Sequence, residues 1–295
     1  MGIATETIEI VVKNNKTKKP TQFTTTNDKD YFFANRTCDK LPSGFYTIKY
    51  SDSKGLFSKK SELFTDNILV LPNLPHKKIL DDIEKFWECE EKFKEYELVY
   101  KRGFLLHGAP GCGKSSVVNL VLKDIIDRGG VAFEMQNPYN YSDYIKLFRE
   151  VEPERPVVVV IEDIDDLIAE FSEKEITNIL DGINQTYKVV YLATTNNMSK
   201  LGDKIKKRPS RFDRVIEIKK PQIEDRKVFL ENKIKETDRN SLNIDKWVKD
   251  TEGLTISHLK ELIISVIIMG NEYDETLELL KNMSNDSHRL GFGQH

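Results

Sequence analysis

Eight consecutive residues combine three glycines with a lysine and a serine in a fixed order. They are Gly108-Ala109-Pro110-Gly111-Cys112-Gly113-Lys114-Ser115, which match the pattern G-x-x-x-x-G-K-[ST] at every fixed position. In such a loop the glycines turn backbone amides toward phosphate oxygens, and the lysine and the following helix N-terminus favour negative charge. We therefore expect this segment, with Ser116, to bind the phosphates of ATP, and Ser115 to offer its hydroxyl to Mg²⁺.

Acidic residues follow a short aliphatic run. The run Val157-Val158-Val159-Val160-Ile161 is typical of a buried strand, and Glu162, Asp163, Asp165 and Asp166 come after it. In parallel α/β sheets, ligands bind at the carboxyl ends of strands. Phosphoryl transfer to water needs one carboxylate for the metal and one that activates the water. Glu162 and Asp163 are the candidates, while Asp165 and Asp166 fit a site role and a solvated loop equally.

A second aliphatic run, Val189 to Ala193, leads into Thr194, Thr195 and Asn196. An asparagine amide at a strand end can donate to the γ-phosphate and accept from the attacking water, so Asn196 is a candidate sensor. Further on, Arg208 and Arg211 precede the next strand, and we expect them to lack a nearby acidic partner. From residue types alone they fit a solvated basic loop or donation of positive charge to a neighbouring copy's nucleotide.

The elements that must position these residues alternate between strand and helix. Strands are predicted at residues 104–107, 131–135, 157–161, 189–194 and 215–218, and helices at 114–127, 142–150 and 174–183. This order predicts an α/β fold of the P-loop NTPase type, with a parallel sheet flanked by helices. After Pro221 the periodicity is helical only, at residues 223–234, 244–250, 256–269 and 275–283, which predicts a small helical lid.

The first 75 residues have strand-like alternation, for example at Phe45 to Tyr50, and Leu71-Pro72-Asn73-Leu74-Pro75 interrupts strand and helix alike. The predicted organisation is a β-rich domain over residues 1–75, an α/β ATPase subdomain over 76–220, a helical lid over 221–284 and a flexible tail over 285–295. In the helix predicted over 142–150, Ser142 is the expected N-cap, and Tyr141, Tyr144 and Phe148 share its core face.

Composition excludes several protein classes. The chain has 295 residues, a formal net charge of −3 and a mean hydropathy of −0.49, and it contains no apolar run near the roughly 20 residues that span a bilayer. Three scattered cysteines form neither a disulfide framework nor a zinc site. We therefore expect a cytoplasmic protein without a membrane segment. Residues 1–78 carry 13 Lys and Arg against 8 Asp and Glu, which is weak support for nucleic-acid binding.

Taken together, these motifs resemble an AAA ATPase module that covers about residues 76–284. Within the AAA family the chain is most similar to the branch of the mitochondrial Rieske-protein translocase, although neither its membrane segment nor its preceding domain is recognisable. The similarity rests on Tyr100-Lys101-Arg102-Gly103-Phe104-Leu105-Leu106, Ile161-Glu162-Asp163-Ile164-Asp165, Asn178-Ile179-Leu180-Asp181-Gly182 and Thr194-Thr195-Asn196.

The resemblance implies a homo-oligomeric ring, expected to be a hexamer, that hydrolyses ATP between subunits. The acids stand in inverted order relative to the family, so Glu162 would take the metal and Asp163 would be the base. Arg208 and Arg211 match the family's two arginine fingers, although Ser210 replaces the glycine usual between them. Tyr139 lies on the loop expected after the second strand, and it fits equally a central-pore contact that grips a protein substrate and an ordinary loop aromatic.

Three functions remain open at this point. The first is an ATPase that remodels or translocates a protein partner recognised by residues 1–75. The second is a DNA-directed loader or switch ATPase, and the third is an assembly scaffold controlled by bound nucleotide.

Overall fold

The computed structural model describes residues 22–25, 31–34, 37–63, 68–181, 187–206, 208, 210–239 and 242–290. The chain divides into two compact units, residues 1–41 and residues 42–295. In the first unit, strand β1 (Gln22–Thr25) pairs with strand β2 (Tyr31–Ala34) in antiparallel register.

A seven-stranded sheet organises the second unit. Its strands are β3 (Gly44–Ser51), β4 (Gly55–Ser61), β5 (Lys101–His107), β6 (Val131–Glu134), β7 (Val157–Ile161), β8 (Val189–Thr195) and β9 (Arg214–Glu217). The spatial order is β4-β3-β6-β7-β8-β5-β9, and every neighbouring pair is parallel except β3 with β4. All residues of β7 and β8 are buried, as expected for strands with helices on both faces. The predicted α/β fold class is confirmed.

Helices cover the sheet and form the C-terminal lid. They are α1 (His76–Trp87), α2 (Glu90–Glu95), α3 (Lys114–Asp127), α4 (Pro138–Val151), α5 (Ile164–Phe171), α6 (Glu173–Asp181), α7 (Asp203–Lys206), α8 (Ile223–Lys233), α9 (Glu236–Arg239), α10 (Ile244–Asp250), α11 (Ile256–Ile263) and α12 (Tyr273–Leu290). A 3₁₀ turn spans Met198–Lys200, and a π-helical segment, Ile264–Ile268, continues α11. None of the helices in the described ranges is long and apolar enough to cross a membrane.

The structure places part of the expected N-terminal domain inside the ATPase sheet. Strand β3 pairs in parallel with β6 from Gly44 opposite Val131 to Thr47 opposite Glu134, and β4 follows it as a hairpin. A boundary at residue 75 therefore does not separate these strands from the sheet. The physical reason is that β6 would otherwise leave one row of backbone groups unpaired.

Residues 68–75 also belong with later elements. Leu71 is buried in a cluster with Phe229 and Leu230 of the lid, and the backbone N–H of Asn73 donates to Asp225 at 3.0 Å. A flexible tail is expected from residue 285, but α12 continues to Leu290, so residues 285–290 are helical. Residues 291–295 lie outside the described part of the chain.

Candidate functional site

The glycine-rich loop lies between β5 and α3, as the sequence predicts. Gly111 and Gly113 have φ values of +76° and +102°, a region that favours glycine. At Gly108 the constraint is space, since a Cβ would stand 2.3 Å from the carbonyl oxygen of Ile218. A larger residue at Gly108 would therefore push the loop away from Ile218.

Lys114 is buried at the start of α3, with its ammonium group inside the loop. Its Nζ donates to the carbonyl oxygens of Gly108 at 2.8 Å and Ala109 at 3.2 Å, and to Oδ1 of Asn196 at 2.6 Å. Burial lowers the pKa of Lys114, while nearby acidic groups oppose the shift. All three acceptors are neutral oxygens, which leaves the positive charge available to an anion in the loop.

Asn196 connects the loop to the acidic strand end. Its Nδ2 donates to Oδ1 of Asp163 at 2.8 Å, while its Oδ1 accepts from Lys114. The ends of two adjacent strands, β7 and β8, bring these groups together. The structure thus joins three sequence-predicted site residues in one hydrogen-bonded series: Lys114, Asn196 and Asp163.

Asp163 has a left-handed backbone, with φ 45° and ψ 57°. Its N–H donates to Oγ1 of Thr194 at 2.9 Å, which fixes the turn between β7 and α5. Partial burial raises the pKa of Asp163, the charges of Asp165 and Asp166 raise it further, and Lys114 lowers it. A raised pKa makes the carboxylate a stronger base than an ordinary aspartate.

Glu162, which directly follows β7, contacts the glycine-rich loop through Ser115. Loss of water around its carboxyl raises the pKa of Glu162, the charge of Glu134 adds to the effect, and a hydrogen bond with Ser115 opposes it. Ser115 itself is exposed at the start of α3. Glu162 and Ser115 are therefore two neighbouring oxygen donors of the type that Mg²⁺ takes in nucleotide sites. Glu134, which the sequence analysis missed, lines a cavity of about 200 Å³ with Glu162 and Asp163.

The structure distinguishes the two remaining acids. Asp165 is buried, accepts from Oγ1 of Thr195 at 2.8 Å and lies 3.5 Å from Nζ of Lys200, so it holds the turn together. Asp166 is exposed and lies 3.7 Å from the same ammonium. In the described ranges, no group of three or more His, Cys, Asp or Glu side chains is arranged to hold a metal ion.

Two cavities, of about 400 and 410 Å³, adjoin the loop where it meets residues 68–75 and the lid. The N–H of Ser257 donates to the carbonyl oxygen of Gly111 at 3.3 Å, so the lid contacts the loop directly. Both cavities are lined by Leu71, Leu74, Cys112 and Ile256. Burial raises the pKa of the Cys112 thiol, which disfavours the reactive thiolate. Together the cavities provide room for the base and sugar of a nucleotide beside the phosphate loop.

Arg208 and Arg211 share an acidic partner that the sequence analysis did not foresee. Nε and Nη2 of Arg211 donate to the two oxygens of Asp181 at 2.8 and 2.7 Å, and Nη1 donates to the carbonyl oxygen of Lys204 at 2.6 Å. Arg211 is buried in this arrangement. Arg208 also reaches Asp181, at 3.1 Å, but 60% of its side chain is exposed. The two arginines therefore differ: one is held in place and the other faces solvent.

Both arginines belong to the sheet end opposite the phosphate loop. The N–H of Gly103 donates to Oδ2 of Asp213 at 2.8 Å, and a Cβ on Gly103 would lie 2.0 Å from the carbonyl oxygen of Arg211. Gly103 is near the start of β5, and the loop follows its end. Gly108 is five residue steps along the chain from Gly103, about 16 Å at roughly 3.3 Å per residue.

Tyr139 lies in a helix, where the sequence analysis placed it in a loop. Helix α4 begins at Pro138, and Oδ1 of Asn137 caps it by accepting from the N–H groups of Tyr139 and Asn140. The prediction that Ser142 is the N-cap is wrong, because the helix already begins at Pro138 and Asn137 is its N-cap. Tyr139 is 54% exposed, its hydroxyl donates to Glu175, and its ring packs edge-on against Phe171. Tyr141 and Phe148 are buried, which confirms the predicted core face.

Comparison with known proteins finds a family similarity in the central segment. Residues 104–220 match the family model described as "ATPase family associated with various cellular activities (AAA)". The match covers less than half of the chain, and it shows that residues 104–220 are similar in sequence to AAA ATPases.

Relatives with curated names match larger parts of the chain. Cell division protein C of Sulfolobus acidocaldarius is 26% identical over 255 residues, covering 75% of this chain and 67% of that protein. The zinc metalloprotease FtsH of Mycoplasma pneumoniae is 25% identical over 252 residues, covering 74% of this chain and 35% of that protein. An Arabidopsis thaliana AAA-ATPase is 31% identical over 170 residues, covering 50% of this chain and 32% of that protein. The chain thus spans from about a third to two thirds of the length of these relatives.

Proposed function

We propose that the chain binds ATP with Mg²⁺ and hydrolyses it at contacts between copies arranged in a six-membered ring. The observation that carries the proposal is the series Lys114, Asn196 and Asp163, hydrogen-bonded across the carboxyl ends of β7 and β8 beside the glycine-rich loop. It combines a cation for the phosphates, an amide that can orient water and a carboxylate with raised pKa.

Each residue of the site has a distinct part in this scheme. Lys114 and the loop amides hold the terminal phosphates. Asn196 orients a water, and Asp163 accepts its proton as the water attacks. The hydroxyl of Ser115 and the carboxylate of Glu162 are the groups that fit Mg²⁺. The ion, when bound, neutralises charge that develops on the phosphate oxygens.

The position of Arg208 supports hydrolysis between copies. Within one chain this arginine stands at the sheet end opposite the phosphate loop, and most of its side chain faces solvent. An arginine finger donated by a neighbour stabilises the transition state of phosphoryl transfer. We assign this role to Arg208. Asp181, which Arg211 holds in place, supports the Arg208 side chain.

The partner in this proposal is a protein. The relatives are named as an ATP-dependent zinc metalloprotease, FtsH, and as cell division protein C. For this chain we propose remodelling or translocation of a protein partner that the N-terminal segment recognises. We also propose that the chain is related to the Rieske-translocase branch. A pore contact by Tyr139 requires that its hydroxyl leave Glu175.

A mixing experiment tests the shared site. Chains with Lys114→Ala have a damaged phosphate loop but an intact Arg208, whereas chains with Arg208→Ala have the reverse. Neither alone should turn over ATP, and a mixture should recover part of the wild-type rate because an intact loop then meets an intact arginine. Wild-type turnover per chain should fall on dilution. Full turnover by a dilute monomer, or a mixture as inactive as its components, would contradict the proposal.

Stimulation of turnover separates the partner classes. Addition of unfolded polypeptides should raise the ATPase rate of the full chain. A rate raised by DNA alone, in a salt-sensitive manner, would favour the DNA-directed alternative instead.

A further inference from the structure

A row of polar side chains crosses the sheet from its outer hairpin to the phosphate loop. Thr47 of β3 stands opposite Glu134 of β6, and Glu134 stands opposite Val160 of β7. Side chains alternate between the faces of a strand, so Glu162, two residues after Val160, returns to the face of Thr47 and Glu134. The shared cavity at Glu134 and Glu162 agrees with this placement.

The hydrogen bonds along this row have a defined direction. Oγ1 of Thr47 lies 2.8 Å from Oε2 of Glu134 and 2.9 Å from Oγ of Ser61. A hydroxyl has one proton, so Thr47 donates to the carboxylate and accepts from Ser61. Thr47 is only 6% exposed, which protects these bonds from competition by water. One oxygen of Glu134 is therefore fixed by the hairpin.

Beyond Glu134 the row reaches the groups assigned to the metal. Glu134 lines the same cavity as Glu162, and the Glu162 carboxylate hydrogen-bonds with Ser115. We call Ser61, Thr47, Glu134, Glu162 and Ser115 the polar row. It begins on β4 at the edge of the sheet and ends at the first turn of α3.

We propose that Thr47 and Glu134 are positioning residues for the Mg²⁺ end of the nucleotide site. Thr47 holds the carboxylate of Glu134, and Glu134 presents a second negative charge beside Glu162 and Ser115. The β3–β4 hairpin thereby becomes part of the ATP site. This inference rests on the proposed function, because it assigns both residues to the same nucleotide site.

Positioning groups of this kind act on metal affinity. Partners of metal ligands commonly change affinity or activity by roughly 10- to 100-fold when they are removed. A residue that only supports the fold would instead lower stability and weaken nucleotide binding with and without metal alike. The dependence of nucleotide binding on Mg²⁺ is therefore the measurement that separates the two roles.

The test uses the full chain and a fluorescent ADP analogue, titrated with and without Mg²⁺. Thr47→Val removes the hydroxyl and keeps the side-chain shape, and Thr47→Ser restores the hydroxyl. Ser58→Ala is the matched control. Ser58 lies in the same hairpin but pairs with Ile48, which places it on the opposite face of the sheet from Thr47. There its hydroxyl accepts a hydrogen bond from Tyr144 at 2.8 Å. Thermal unfolding confirms that each variant is folded.

We expect Thr47→Val to raise the Mg²⁺ concentration for half-maximal binding roughly 10-fold, while metal-free binding stays unchanged. Thr47→Ser and Ser58→Ala should behave like wild type. Because Thr47 acts through Glu134, the double variant with Glu134→Gln should be no weaker than Glu134→Gln alone. If Thr47→Val folds poorly, Glu134→Gln alone keeps the test decisive, because it should raise the Mg²⁺ requirement in the same way.

Two results would overturn the inference: an unchanged Mg²⁺ dependence in Thr47→Val, or additive losses in the double variant. Hydrolysis is tested by a different measurement. A wild-type chain that binds Mg²⁺ and nucleotide without turnover would refute hydrolysis, while the binding titrations would still test the polar row.

Discussion

The two arginines of the 208–211 turn should respond very differently to replacement by alanine. Arg211 is 4% exposed at its side chain and holds Asp181 through two hydrogen bonds. Removal of one partner from a buried pair costs about 3–5 kcal/mol, because the other charge is left uncompensated. At about 2–4 °C per kcal/mol for a unit of this size, Arg211→Ala should lower the melting temperature by roughly 10 °C.

Arg208 should show the reverse behaviour. Its side chain is 60% exposed, and surface ion pairs contribute about 0–1 kcal/mol, so Arg208→Ala should melt within about 3 °C of wild type. Turnover should nevertheless fall about 10³-fold, the lower end of the effect of a finger arginine. Arg128→Ala is the control, because Arg128 is similarly exposed, at 58%, and pairs with Asp124 and Glu84.

The assay is thermal unfolding and steady-state ATP turnover on the same samples. Arg128→Ala should keep wild-type turnover. If Arg208→Ala turned over ATP normally, the finger role would be refuted. If Arg211→Ala melted like wild type, the buried pair with Asp181 would be absent from the protein in solution.

Three further predictions address the base, acid stability and the exposed tyrosine. Asp163→Asn should retain ATP binding and slow hydrolysis by about 10²- to 10⁴-fold in a single-turnover assay, since the proton acceptor is lost; normal hydrolysis there with a dead Glu162→Gln would reverse the two roles. Lys188 and Tyr187 hold the pKa of Glu90 at about 2. This lowered pKa adds stability at neutral pH, and that stability is lost as the pH falls from the unfolded-state pKa of Glu90 toward about 2. Between pH 7 and pH 3, the free energy of unfolding in urea should therefore fall more in wild type than in Glu90→Gln. Equal falls in the two proteins would contradict this prediction. Tyr139→Phe should keep polypeptide-stimulated ATPase activity and Tyr139→Ala should lose it, whereas equal stimulation of both would exclude a pore contact.

Local sequence patterns were sufficient for much of the fold. Helix α3 and strand β7 have the predicted bounds, 114–127 and 157–161, because a capping loop or a run of β-branched residues defines each without distant contacts. The glycine-rich loop was predictable for the same reason. Its function depends on backbone conformations that only a few residue types adopt.

Pairings between distant segments could not be predicted in this way. The hairpin of β3 and β4 is recognisable as strands, yet nothing local indicates that β3 pairs with β6 rather than with other N-terminal strands. Asp181 is 30 positions before Arg211, and Glu134 is 87 positions after Thr47. These contacts arise only when helices and strands pack, so residue types alone left Arg208 and Arg211 ambiguous.

The inverted order of Glu162 and Asp163 coincides with an unusual backbone conformation at Asp163. Aspartate is one methylene shorter than glutamate, so a base at position 163 must be brought closer to the phosphates by the chain itself. The left-handed conformation of Asp163 costs energy for a residue other than glycine, although aspartate and asparagine tolerate it better than most. The bonds from Asp163 N–H to Thr194 and from Asn196 to the carboxylate maintain this conformation. The turn therefore fixes the Asp163 carboxylate beside Asn196, which is how the base role proposed for Asp163 would compensate for its shorter side chain.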